Sequence, residues 1–273
     1  MAILYGISDL HLGAAVNRQA LPALGYYPDD WLIVAGDVAE GEELFAWSML
    51  QLQQRFAQVI WTPGNHDLWT MPNSADPKRG VVKYHYFVEI CRQLGVATPE
   101  DPFLTWRDEL GEVVIAPMFT LYDYTFKPEG VALDEAVAWA AEVDTVCTDE
   151  YLLHPDPFAD RASWCHARCV YSEGRLAEVG AGRSIMVVTH WPWRADLAVL
   201  PRVPRFKIWC GTRRTERLLR EYPIEAVVYG HLHIRQTSRR EGVVHHEVSL
   251  GYPRQWRQEK GMGHYLRVIR GGD

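Results

Sequence analysis

The stretch VVYGHLHIRQ, Val227 to Gln236, runs β-branched and aromatic residues into Gly230 and then sets His231 and His233 around Leu232. Residues two apart on an extended chain share a face, so the two imidazoles would leave the strand together while Leu232 turns into the core. A solvated polar face explains a single His-x-His pair equally well. The other strand ends have to separate the two readings.

Six short apolar runs closed by turn residues predict strands: AILYGIS (2–8), DWLIVAG (30–36), QVIWTPG (58–64), EVVIAPM (112–118), SIMVVTH (184–190) and EAVVYGH (225–231). Amphipathic helices are predicted between them. Phe45, Met49, Leu52 and Phe56 make one apolar face, and Tyr84, Phe87, Cys91 and Leu94 another. A third helix is expected over 134–153, capped by Asp134, with Ala136, Ala140, Val143 and Cys147 on one side. Strand and helix in alternation predict an α/β architecture.

Five of these strands end in potential ligands. They close on Asp9-Leu10-His11, Gly36-Asp37, Gly64-Asn65-His66-Asp67, His190 and Gly230-His231-Leu232-His233. In an open α/β sheet the carboxyl ends of the strands line the binding crevice, so side chains far apart in sequence can converge there. Independent polar faces would not all fall at strand exits. Two aspartates, an asparagine and four histidines form a mixed oxygen and nitrogen set suited to manganese, iron or zinc.

The ordered set D-x-H, G-D, G-N-H-D, H and G-H-x-H resembles the calcineurin-like metallophosphoesterase superfamily. The resemblance implies a β-sandwich core flanked by helices and two divalent metal ions. Asp9, His11 and His233 would hold one ion, Asn65, His190 and His231 the other, and Asp37 would bridge them, with Gly36 removing bulk beside it. Two cations about 3.5–4 Å apart bind phosphate and activate a bridging hydroxide for in-line attack. His66 would face the substrate as proton donor or charge stabiliser. For Asp67 two readings stand: orienting the His66 ring and raising its pKa, or holding the turn through backbone N–H groups. The implied function is a dinuclear phosphohydrolase cleaving a small-molecule phosphomonoester or phosphodiester.

Rival readings are a metal-dependent nuclease and a binding module that kept the fold without catalysis. A net charge of −7 and the lack of a basic run count against the nuclease and against nucleic acid as a partner. The complete ligand set and His66 count against the module. With 273 residues, 48% of them hydrophobic, the chain is expected to form one domain, 1–273, with a cap insertion around 68–183. No apolar run approaches the ~20 residues of a membrane helix, and the start lacks signal-peptide features. A soluble, cytoplasmic protein with five reduced cysteines is expected.

The turn-rich pieces MPNSADPKRG (71–80) and HPDPFAD (154–160) read as loops of the insertion, and the tail from 242 onward is expected to pair back onto the sheet. Arg202, Arg205, Lys207, Arg213 and Arg214 lie between two ligand motifs and are candidates for holding substrate phosphate. The aromatic pieces HDLWTMP, MFTLYDYTF and HWPWRAD lie beside the ligands or in the cap, as substrate covers or core. Cys165, His166 and Cys169 of WCHARC read as one helical turn with buried thiols rather than zinc ligands. His85, His154, His166, His245, His246 and His264 carry no motif and are expected at the surface or in hydrogen-bonded structural roles.

Overall fold

Ten strands form in the computed structural model, which describes residues 2–72 and 77–272: β1 (Leu4–Ile7), β2 (Tyr27–Val34), β3 (Phe56–Trp61), β4 (Leu104–Asp108), β5 (Gly111–Pro117), β6 (Ile185–Val188), β7 (Ile224–Tyr229), β8 (Gln236–Arg240), β9 (Val243–Glu247) and β10 (Arg267–Arg270). One sheet has the order β10-β1-β2-β3 and the other β4-β5-β6-β7-β9-β8. Neighbours among β1, β2 and β3 are parallel, as are those along β5, β6, β7 and β9; β10, β4 and β8 are antiparallel edges.

Alternation along each strand separates three apolar layers. Leu4, Ile33 and Ile60 of the first sheet pack between the sheets with Val113, Ile115, Met186, Val188 and Val228 of the second. Leu32, Val34, Val59 and Trp61 face outward onto Phe45, Met49 and Leu52 of α2 (Glu42–Gln53) and Phe87 of α4 (Gly80–Gln93). Leu176 of α7 (Arg161–Ala177), with Leu218 and Leu219 of α8 (Leu218–Glu221), joins Val114, Val187 and Val227 on the other side. Burial on both faces is why the central strands read as continuous apolar runs. The short helices are α1 (Ala15–Ala20), α3 (Asn65–Leu68), α5 (Ala136–Ala141) and α6 (Asp149–Leu152).

Two expected helices end early. Phe56 opens β3 instead of closing the first helix, because buried Arg55 donates to the carbonyls of Gln51 (2.7 Å), Leu24 (3.1 Å) and Pro22 (2.9 Å) and holds the turn after α2. The helix expected over 134–153 is two short ones, α5 and α6. Asp144 between them takes a left-handed φ of +55°, and Asp134 caps neither. The segment 68–183 carries β4 as well as β5, a charged edge strand that its composition did not announce. Residues 73–76 of the turn-rich piece lie outside the described residues. β9 and β10 pair the tail back onto both sheets. Among the described residues no helix is long and apolar enough to cross a membrane.

Candidate metal centre

Beyond the strands, Ser8 and Ser249 form a parallel bridge between the two sheets, and the ligand-bearing turns gather on that seam. Five of the seven candidate ligands have left-handed backbones: Asp9 (φ +52°), His11 (+43°), Asp37 (+56°), His231 (+70°) and His233 (+54°). The extended segment expected for His231 and His233 is therefore not what forms. β7 ends at Tyr229, the Leu232 N–H bonds the Gly230 carbonyl at 2.8 Å, and two left-handed residues flank the buried leucine. Gly230 is required for space, since a Cβ there would strike Ser8 Oγ and Asp9 Oδ2. Gly36 needs both its φ of +88° and its missing Cβ, which would sit 2.6 Å from Gly64 N and 2.7 Å from His190 Nδ1.

The side chains form two adjoining clusters. In one, His233 Nε2 lies 2.9 Å from Asp9 Oδ1 and 3.1 Å from His11 Nε2. In the other, Asn65 Oδ1 lies 3.1 Å from His190 Nε2 and 3.2 Å from His231 Nδ1, and those two nitrogens are 3.2 Å apart. Asp37 Oδ2 lies between them, 3.9 Å from His11 Nε2 and 3.5 Å from His190 Nε2. His66 belongs to the same constellation: its ring can share a point with His11 and Asp37, as Asp9, Asp37 and His190 can.

The tautomers show that these residues fit cations. His190 Nδ1 donates to the Ala35 carbonyl (2.8 Å), which leaves its Nε2 lone pair bare, while His233 Nδ1 bonds Gln255 Oε1 (2.7 Å). That bare lone pair faces the Asn65 carbonyl oxygen at 3.1 Å. Acceptors aimed at acceptors are repulsive until a cation lies between them. His11 Nδ1 and His231 Nε2 are buried without a partner.

Electrostatics follow the crowding. Burial opposes ionisation of Asp9, yet the charge and hydrogen bond of His233 hold its carboxyl well below the usual range. Asp37 is pushed well above it by burial and then by Asp9. Burial lowers His11 and His231 strongly, aided by neighbouring histidines, which favours the neutral, ligating ring.

Asp67 does not orient His66. Its Oδ2 accepts the N–H groups of Asp37 and Gly64 (3.0 Å each) and its Oδ1 those of Val38 (2.8 Å) and Ala39 (3.1 Å), so it welds the two ligand turns together. The partner of His66 is Glu40, whose Oε1 lies 2.9 Å from Nδ1. Burial works against the Glu40 anion, but the bond from His66 lowers its pKa. Tyr252 stacks on His11 at 4.2 Å and brings its hydroxyl to 3.4 Å from His66 Nε2. The sequence reading missed Glu40, Tyr252 and Gln255; only Glu40, three residues past Asp37, gave a local signal.

Of the basic residues between the last two motifs, Arg205 bonds the Trp139 carbonyl and Glu142 (2.8 Å), Arg213 the Thr125 carbonyl (3.1 Å), and Arg214 Asp123 (3.3 Å). These three fasten the 204–215 segment to residues 123–142. Arg202 and Lys207 make no ion pair among the described residues. The aromatic pieces do reach the site: Trp69 packs on His66 (3.6 Å) and Trp191 on His190 (4.9 Å). Cys165 and Cys169 are one buried turn of α7, 4.0 Å apart, and exposed His166 is not with them. His245, expected at the surface or hydrogen-bonded, is fully buried with neither ring nitrogen paired.

A two-sheet sandwich carrying this donor set on its seam defines a metal-dependent phosphoesterase. The chain belongs to the calcineurin-like phosphoesterase family, whose model matches residues 4–235. It is 45% identical over 270 residues, 97% of this chain and 83% of the relative, to the acyl-carrier-protein phosphodiesterase PptH of Mycobacterium tuberculosis. The crystal structure of phosphopantetheinyl hydrolase (PptH) from the same organism matches with a TM-score of 0.93 and 43% identity, covering 98% of this chain and 95% of that one.

Proposed function

We propose that this chain hydrolyses the phosphodiester joining a phosphopantetheinyl group to a carrier protein, using two divalent ions. The observation that carries this reading is the likeness to PptH along nearly the whole chain, cap segment included. Asp9, His11 and His233 would hold one ion, Asn65, His190 and His231 the other, with Asp37 shared. Bound there, the ions supply Lewis acidity toward phosphate and water. The residues of the chain do the rest.

With Nδ1 bonded to Glu40 and Nε2 3.4 Å from the Tyr252 hydroxyl, the His66 ring is held in a fixed orientation at the site. An alkoxide is a poor leaving group, so a proton delivered from Nε2 is the step that an alkyl diester demands. Asp67 acts through the turns it fastens. Arg202 and Lys207 are the cations of the 202–214 set open to the substrate or its carrier. Five buried free cysteines support a reducing, cytoplasmic setting.

The test is to incubate metal-loaded protein with holo acyl carrier protein and follow the carrier's mass. Conversion to the apo form, absent with Asp37→Asn, is expected. An untouched carrier, with aryl phosphodiesters still cleaved, would leave the metal chemistry standing and remove the substrate.

A further inference from the structure

Asp149 is a fully buried carboxylate on α6, 84 residues from Asn65 in sequence, and no ligand motif includes it. Its Oδ1 accepts both the Asn65 Nδ2–H (2.9 Å) and the Trp69 indole N–H (2.7 Å), while its Oδ2 has no hydrogen-bond partner among the described residues. We propose that Asp149 is a positioning residue of the metal centre, fixing the Asn65 amide so that its carbonyl oxygen faces His190 and His231.

An asparagine amide has one accepting and one donating end, and rotation exchanges them. A carboxylate and an indole N–H cannot exchange roles: the first only accepts here and the second only donates. With Trp69 holding Oδ1 in place, the reversed amide would set its carbonyl oxygen against a carboxylate oxygen. The amide is thereby locked with its oxygen toward His190 Nε2 and His231 Nδ1, at 3.1 and 3.2 Å.

α6 is itself anchored. The Leu152 carbonyl accepts the Thr70 N–H at 2.8 Å, and Arg161 donates to the Asp149 (3.3 Å) and Leu153 (3.1 Å) carbonyls. A buried carboxylate with no cationic side chain paired to it is unfavourable by itself. Cations held by the neighbouring cluster would offset that. The segment between the two groups of ligands thus supplies part of the second ion's mounting.

The inference rests on Asn65 being a ligand, and titration of metal-stripped protein with Mn²⁺, following free Mn²⁺ by electron paramagnetic resonance, tests the two separately. Wild type should bind two equivalents, and Asn65→Ala should lose one. If Asn65→Ala keeps both at wild-type affinity, the ligand assignment fails. With that control in hand, Asp149→Ala should weaken one equivalent by about 10–100-fold and spare the other. Asp149→Asn, whose amide oxygen can still accept, should recover most of the loss. Two equivalents at wild-type affinity in Asp149→Ala would overturn the proposal, as would equal weakening of both. Should Asp149→Ala not fold, nitrogen-15 spectra of zinc-loaded wild type decide: one slowly exchanging Asn65 side-chain proton is expected, and two fast ones would overturn it.

Discussion

Asp9-Leu10-His11 and His231-Leu232-His233 are conformational twins: two left-handed ligands around one buried leucine. Such backbones are held against about 1–3 kcal/mol of strain each, and aspartate and histidine tolerate them better than most residues. Fixing five candidate ligands this way lets their donor atoms converge. Gly230→Ala, which drives a methyl into Ser8 and Asp9, is expected to weaken metal binding with far less change in secondary structure; circular dichroism beside a metal titration measures both. Leu232→Ala should leave both ions in place and lower stability by about 2–5 kcal/mol in urea melts. His66→Asn should lower kcat by ~10²–10⁴ with metal content unchanged, and hurt alkyl esters more than aryl esters. Glu40→Gln should show the same leaving-group pattern more weakly, by about tenfold in kcat. Equal losses on both ester types would show that His66 stabilises charge without giving a proton.

At the scale of elements, His245 on β9 gives a pH dependence. Burial lowers its pKa from 6.5 to about 4, so the folded state prefers the neutral ring. Its contribution is complete above pH 6.5 and is lost as pH falls through 4, because the unfolded chain takes up the proton first. Melting temperature between pH 7 and 4 should fall less steeply in His245→Leu than in wild type, and identical slopes would place the acid sensitivity elsewhere. The strands were legible because burial on both faces writes continuous apolar runs, and the side chains that meet at the seam because they stand at the ends of those runs. β4 was not legible, being an edge strand with Arg107 and Asp108 in a five-residue run. Neither was the break at Asp144, where a good helical pattern yields to a left-handed residue. Glu40 and Asp149 act through tertiary proximity, and alternation along a strand carries no trace of that. Nor does it carry the left-handed turns, since the D-x-H and H-x-H spacing fits an extended segment equally well.

Over the whole molecule the candidate ligands come from both sheets: Asp9 to Asn65 follow strands of the first, His190 to His233 strands of the second. Ions that bind only the folded seam stabilise it by mass action, about 2.7 kcal/mol per site at a hundred times Kd. Chelation should therefore lower the melting temperature measurably, and Asp37→Asn should lose most of that difference. A chelator-insensitive melt would mean that the seam is held by protein contacts alone.

Asn65 and His190 stand 125 residues apart and meet at one ion's position. A shared ion there would be a reversible cross-link, removing chain entropy from the unfolded protein as a disulfide does, by about 4–5 kcal/mol for a loop of that length. Such a term grows only with the logarithm of loop size: doubling the enclosed chain costs about 0.6 kcal/mol more. The segment 68–183 lies wholly inside this loop. In chain entropy its length is thus nearly free to vary, and what a lineage would have to keep within it is the hold of Trp69 and Asp149 on Asn65.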